Sequence, residues 1–211
     1  MSLNTLEEIA EYIVSDGKGI LAADESNPTC GKRFDSIGVE STETNRRDYR
    51  EMLFRATGMK DNIGGVILFD ETIRQNAEDG TPLVDLIKNQ GALPGIKVDK
   101  GLAPLESSPD ETVTQGLDGL DERCKEYVSL GAKFTKWRAV IKISDTIPSD
   151  ECIEANMRAL AKYAKIVQDN NMGPMVEPEV LMDGVHSIDQ CYSVTSKSLK
   201  SLFDCLKDEG V

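Results

Sequence analysis

Residues 132–142, AKFTKWRAVIK, form the stretch from which the fold is read. β-Branched and aromatic residues dominate it and Gly131 punctuates its start, so a β-strand is expected. Successive side chains on a strand point to opposite faces. Phe134, Lys136, Arg138 and Val140 therefore share one face, while Thr135, Trp137, Ala139 and Ile141 share the other. The second face is largely apolar and calls for a helix over it. The first carries two cations, and a buried charge is costly unless it is paired or acts on something. A solvated face or an ion-paired structural Lys and Arg would account for them taken alone. The charges that recur on other expected strands favour a shared site.

Five such strands are expected. Residues 17–24, GKGILAAD, form the first, and residues 63–69, IGGVILF, form a near-continuous apolar run suited to burial on both faces. Residues 93–98, LPGIKV, come next, then the opening stretch, then residues 172–180, MGPMVEPEV. Helices are expected between them. Residues 4–14 have apolar positions at Leu6, Ile9, Ala10 and Ile13, with a capping box at Asn4 and Glu7. Residues 26–40 read as a polar loop or short helix, and residues 43–57 and 82–88 as helices. A further helix lies somewhere within 110–130. Residues 149–170 form the clearest helix, with an apolar stripe of Ile153, Met157, Leu160, Ala164 and Val167. Ser187 and Gln190 make a capping box that opens a last helix through Leu206.

Strands alternating with helices imply right-handed crossovers and a parallel sheet. No GxGxxG follows the first strand, so nothing marks a dinucleotide-binding fold. A (β/α)8 TIM barrel fits better, because charged residues recur toward strand C-termini, where such barrels build their sites. Asp24 closes the first strand and Lys97 the third, Lys136 and Arg138 sit on the fourth, and Glu177 and Glu179 share one face of the fifth. The expectation is that these groups converge on one mouth.

Composition narrows the function. The 211 residues suit one domain spanning 1–211. With 24 basic and 37 acidic residues the net charge is −13, which disfavours nucleic acid and anionic membranes as partners. Cation clusters must then serve a local anion. Five dispersed cysteines without a CxxC read as reduced thiols of an intracellular protein. His186 is the single histidine, expected at the surface or a helix cap, which rules out a His-rich zinc site and argues against a Ser-His-Asp triad. The acidic amphipathic start is not a signal segment, and no apolar run reaches a membrane span. Carboxylates and lysines together suit proton transfer beside a carbonyl, and the lysines can also stabilise developing alkoxide charge. Ser26, Thr29, Lys32 and Arg33 combine hydroxyls with adjacent cations, as a phosphate clamp would; an exposed basic pair explains Lys32 and Arg33 equally well.

GKGILAADES, GKRFDSIG, IGGVILFDET, GIKVDKGL, QGLDGLDERC, GAKFTKWR and MVEPEVLMDG run in order along the chain. This succession resembles class I fructose-bisphosphate aldolase over essentially the whole sequence. The resemblance implies a (β/α)8 barrel, of which this chain supplies about the first five units. It implies a homotetramer, a phosphorylated sugar substrate, and cleavage of fructose bisphosphate through a lysine Schiff base without metal or other cofactor. By the same resemblance Asp24 handles the substrate C4 hydroxyl, while Lys97 and Lys136 support charge and proton traffic. Glu177 is the acid/base of the carbinolamine and imine steps, assisted by Glu179. Arg138 orders the substrate, and Ser26, Lys32 and Arg33 form a phosphate site, with Thr29 where a serine is common. A cytoplasmic location is expected; a mature plastid form would look the same.

One departure stands against these matches. The family's Schiff-base lysine lies in an LLKPNMV-type motif on the sixth strand, and these residues contain no such motif. A whole barrel typically takes about 250 residues. The expectation is therefore a fragment of a full enzyme that holds the acid/base half of its site. A catalytically dead, aldolase-derived binding or scaffold protein is the alternative if the chain ends at Val211. A metal-dependent aldolase is a third reading, disfavoured by the scarcity of histidine.

Overall fold

A computed structural model describes Leu3 and residues 5–211. Its elements are α1 (Leu6–Ile13), β1 (Gly19–Ala23), α2 (Asn27–Asp35), α3 (Glu43–Phe54), α4 (Met59–Asn62), β2 (Ile63–Leu68), α5 (Asp70–Ile73), α6 (Leu83–Asn89), β3 (Leu93–Lys97), β4 (Leu102–Leu105), β5 (Ser108–Thr114), α7 (Leu120–Ser129), β6 (Phe134–Ile141), α8 (Asp150–Asp169), β7 (Gly173–Val180) and α9 (Ile188–Glu209). Five strands form one sheet in the order β1-β2-β3-β6-β7, and β4 pairs with β5 separately. β1 runs parallel to β2, and β2 to β3. Bonds from Lys133 N to Pro94 O and from Val98 N to Lys136 O join β3 to β6. Bonds from Gly173 N to Lys133 O and from Leu181 N to Ile141 O join β6 to β7. Strands alternating with helices in this order match part of a (β/α)8 barrel, as the sequence implies.

The chain divides into two compact units. The first comprises residues 1–97, 125–135 and 171–173. Its core includes Ile9, Ile13, Phe54, Val66, Leu68, Leu83, Ile87, Ile96 and Phe134, all buried. Two strand glycines have a packing reason. A Cβ at Gly64 would stand 2.3 Å from the Ile13 carbonyl oxygen, and one at Gly95 would stand 2.3 Å from the Phe134 ring. Only a residue without a side chain lets α1 and that ring come so close. The N-terminal capping box forms between Thr5 and Glu8. The Asn4 position expected for it lies outside the described residues.

The second unit comprises residues 98–124, 136–170 and 174–211. Here the opening strand behaves as its alternation predicts: Trp137, Ala139 and Ile141 are fully buried. Trp137 lies against Tyr163 of α8, with ring centroids 5.3 Å apart. The five stripe residues of α8 are all buried. Ser149 caps this helix, and Ser187 with Gln190 closes a capping box on α9. The β4–β5 hairpin departs from the sequence reading, which has only a helix in 110–130; that helix, α7, starts at Leu120. SPDETVT escapes the alternation rule because its inward positions are polar. Glu111 is buried and accepts a bond from Ser149 N at 2.8 Å. Asn156 of α8, also buried, donates to Thr112 O at 2.8 Å and accepts from Thr114 N at 3.3 Å. Hydrogen bonds here take the place of apolar packing. The short α4 and α5 were likewise not legible as separate elements.

Trp137 is the sole tryptophan and has no hydrogen-bond partner at Nε1. Its fluorescence is expected well to the blue of free indole and resistant to acrylamide, shifting red only on unfolding, because aromatic burial removes the ring from water. A red, freely quenched native emission would contradict this packing.

Candidate active site

The second unit carries a cluster of four charged side chains on adjacent strands. Strand periodicity puts Lys136 and Arg138 on one face of β6, and Glu177 and Glu179 on one face of β7. Lys136 Nζ stands 3.2 Å from Glu177 Oε2. Arg138 Nε donates to Glu179 Oε2. The Lys136 side chain is 11% exposed and that of Glu177 40%, so the cation is sheltered while its carboxylate partner can meet a solute. Asp99, two residues beyond Lys97, accepts from Arg138 N at 3.4 Å. The hydrogen bond with Glu179 raises the Arg138 pKa above its ordinary value, against the opposing effect of burial. Arg138 is thus a fixed cation, suited to holding an anion but not to moving a proton. Lys136 and Glu177 are the members of this cluster that can exchange one. Both sit within their strands rather than at the ends.

In the first unit, Asp24 directly follows β1 and is buried, and Lys97 is the last residue of β3. Ser26 is the N-cap of α2, and its Oγ lies 3.1 Å from Thr29 Oγ1. Lys32 and Arg33 occupy the last turn of that helix, both exposed. Arg33 is engaged with Glu25, at 2.5 Å. An incoming phosphate would have to draw it away. Of the four residues expected to form a phosphate clamp, Ser26 and Thr29 bring their hydroxyls together, while Lys32 and Arg33 lie on the exposed side of the helix. Sequence reasoning missed Glu25, which gathers Arg33, Tyr49 and Arg50. It also missed the bidentate pair of Arg46 with Glu71, at 2.8 and 2.6 Å. The signal was available: Arg46 and Arg50 are four apart on a helix whose remaining buried residue is Phe54, so both point inward.

The buried cysteines Cys124 and Cys152 offer no competing nucleophile. All five are free, and Cys30, Cys124 and Cys152 are buried. Burial pushes the Cys124 and Cys152 thiols up to about 11, where the reactive thiolate is scarce at neutral pH. Among the described residues no group of three or more His, Cys, Asp or Glu could hold a metal ion. His186 lies just before the N-cap of α9, half-buried.

Comparison with known proteins identifies the family. The family model described as fructose-bisphosphate aldolase class-I matches residues 5–211. A probable fructose-bisphosphate aldolase class 1 of Xanthomonas campestris pv. campestris is 54% identical over all 211 residues, which cover 63% of its length. Fructose-bisphosphate aldolase C-B of Danio rerio is 54% identical over 98% of this chain and 57% of its own. The solved structure of fructose-bisphosphate aldolase from Plasmodium falciparum, in complex with TRAP and a small-molecule inhibitor, superposes with a TM-score of 0.96 at 50% identity, covering 98% of this chain and 60% of that one. The chain thus spans less than two thirds of the length of these relatives.

The Arg46–Glu71 pair predicts a pH dependence. The hydrogen bond from Arg46 holds the Glu71 carboxyl below its ordinary range, outweighing burial. A depressed carboxyl stabilises the fold above its unfolded pKa, about 4.3, and loses that contribution as pH falls through the folded value. In urea unfolding, the stability gap between the parent protein and Glu71→Gln is expected to be widest near neutral pH and to shrink as the pH falls below that unfolded value. A gap constant across that range would mean the pair contributes nothing.

Proposed function

The chain belongs to the class-I fructose-bisphosphate aldolase family, and on that premise we propose that its residues supply the acid/base half of an enzyme. The reaction is reversible cleavage of fructose bisphosphate to dihydroxyacetone phosphate and glyceraldehyde phosphate through a lysine Schiff base. The nucleophilic lysine of that reaction belongs to a motif that residues 1–211 do not contain. The observation that carries the reading is the Lys136–Glu177 pair at 3.2 Å, flanked by Arg138 and Glu179.

The chemistry divides among these residues by their surroundings. Collapse of a carbinolamine to an imine needs a proton delivered to the departing hydroxyl. Glu177, partly open to solvent, delivers it, and the Lys136 ammonium stabilises the carboxylate left behind. Arg138, kept charged by Glu179, binds substrate oxygen rather than relaying protons. Asp24 takes the proton of the C4 hydroxyl as the carbon–carbon bond breaks, with Lys97 supporting the charge. Ser26, Thr29, Lys32 and Arg33 hold one phosphate, once Arg33 exchanges Glu25 for the ligand. The same reading makes the protein a cytoplasmic, homotetrameric enzyme of glycolysis, a single barrel domain that needs no metal. The acidic net charge supports the soluble part of it, since anionic surfaces are poor partners at −13.

The test is cleavage of fructose bisphosphate by the complete protein and its Glu177→Gln variant. The amide keeps the size of the carboxylate but cannot shuttle a proton. Turnover is expected to fall on the order of a hundredfold to ten-thousandfold with KM near that of the parent. Unchanged turnover with a raised KM would assign Glu177 to binding alone, and a complete protein without cleavage activity would overturn the reading.

A further inference from the structure

α3 carries Arg46, Arg50 and Phe54 at four-residue spacing, so all three face inward and all three are buried. Arg50 is the extreme case, with a relative exposure of 0%. Its Nε donates to the carbonyl of Ala23 at 3.2 Å, and its Nη2 donates to the carbonyl of Glu25 at 2.6 Å. The same nitrogen lies 3.8 Å from Glu25 Oε2 and 3.6 Å from Cys30 Sγ. Ala23 and Glu25 are the two neighbours of Asp24. One planar guanidinium therefore grips the backbone on both sides of that residue, through a fork whose geometry is rigid.

This arrangement is not the cheapest way to fill the space. A buried cation is costly unless every donor is met, and Arg50 Nη1 has no hydrogen-bond partner. A Leu or Met on α3 would satisfy packing without that penalty. Arg46 gives the internal contrast: it grips the side chain of Glu71 and the carbonyl of Ser41, and brackets no residue assigned to the reaction. Arg50 instead fixes the peptide plane that enters Asp24 and the one that follows Glu25.

We infer that Arg50 is a positioning residue for Asp24, acting through the two carbonyls that flank it; the inference rests on the role proposed for Asp24. Proton abstraction needs its carboxylate held to a fraction of an ångström. Arg50 contributes to that constraint by tying down the backbone at Ala23 and Glu25.

The test uses the complete protein with Arg50→Met, Arg50→Lys and Arg46→Met. Misplacement of a catalytic group by about an ångström costs on the order of a hundredfold, so Arg50→Met is expected to lose about that much in kcat with KM near that of the parent. Arg50→Lys, which reaches one carbonyl at a time, should recover part of the loss. Arg46→Met should lower thermal stability without the kcat signature. A folded Arg50→Met with parental kcat overturns the inference, as does a matching kcat loss in Arg46→Met. Should Arg50→Met not fold, parental kcat in Arg50→Lys overturns it. Amide hydrogen exchange at residues 23–26 gives a readout independent of activity. Faster exchange there in the Arg50 variants, and not in Arg46→Met, is expected; unchanged exchange overturns the positioning claim even if the parent protein proves to lack cleavage activity.

Discussion

A cation held on a strand must meet an anion held as firmly, and this constraint governs the second unit. Lys136 and Arg138 lie two residues apart, as do Glu177 and Glu179. The two-residue period of a strand gives both pairs one spacing, so neighbouring parallel strands bring them together without any adjustment of side chains. The pairing offsets the desolvation of Lys136 and leaves both carboxylates of the four-membered cluster partly open to a solute. Trp137 and Tyr163 on the other face hold β6 against α8, so the charges sit on a backbone that packing has already immobilised.

The first unit solves a related problem with a helix. Arg46 and Arg50 leave α3 one turn apart and reach residues that follow β2 and β1, respectively. The strand ends, where backbone groups run out of ladder partners, are secured by guanidinium forks. Glu25 is the hub: Arg33, Tyr49 and Arg50 converge on its carboxylate or its carbonyl. A phosphate arriving at Arg33 would therefore compete with a carboxylate already bonded there, which couples anion binding to the segment that carries Asp24.

The five parallel strands were legible because their inward residues are apolar and their borders are marked by glycine or charge. The α8 stripe and the α9 capping box were legible from spacing alone. The β4–β5 hairpin was not, because Glu111 and Thr114 occupy its buried positions and the satisfying partners, Ser149 and Asn156, lie some forty residues away. The capping box of α1 forms at Thr5 and Glu8; sequence alone could not choose between Asn4 and Thr5, since both have an acidic residue three positions on. At the site, sequence pattern marked Lys136, Arg138, Glu177 and Glu179 as members of one charged cluster but gave no hint of which would pair, nor that Arg33 is engaged by Glu25. Adjacent residues in sequence, Glu25 beside Asp24, carry no mark distinguishing a hub from the residue proposed to take part in the reaction. That difference arises only from what α2 and α3 bring to them.

Gly95 and Phe134 share a single volume, since a methyl group on the one would overlap the ring of the other. The two positions are thus not independent variables over evolutionary time. A larger residue at 95 is accessible only to a lineage in which 134 has already shrunk, and a smaller residue at 134 opens a void until 95 grows into it. Either order passes through an intermediate that is crowded or hollow. The β3–β6 seam is therefore a place where history, rather than chemistry at the site, restricts which sequences can be reached from this one.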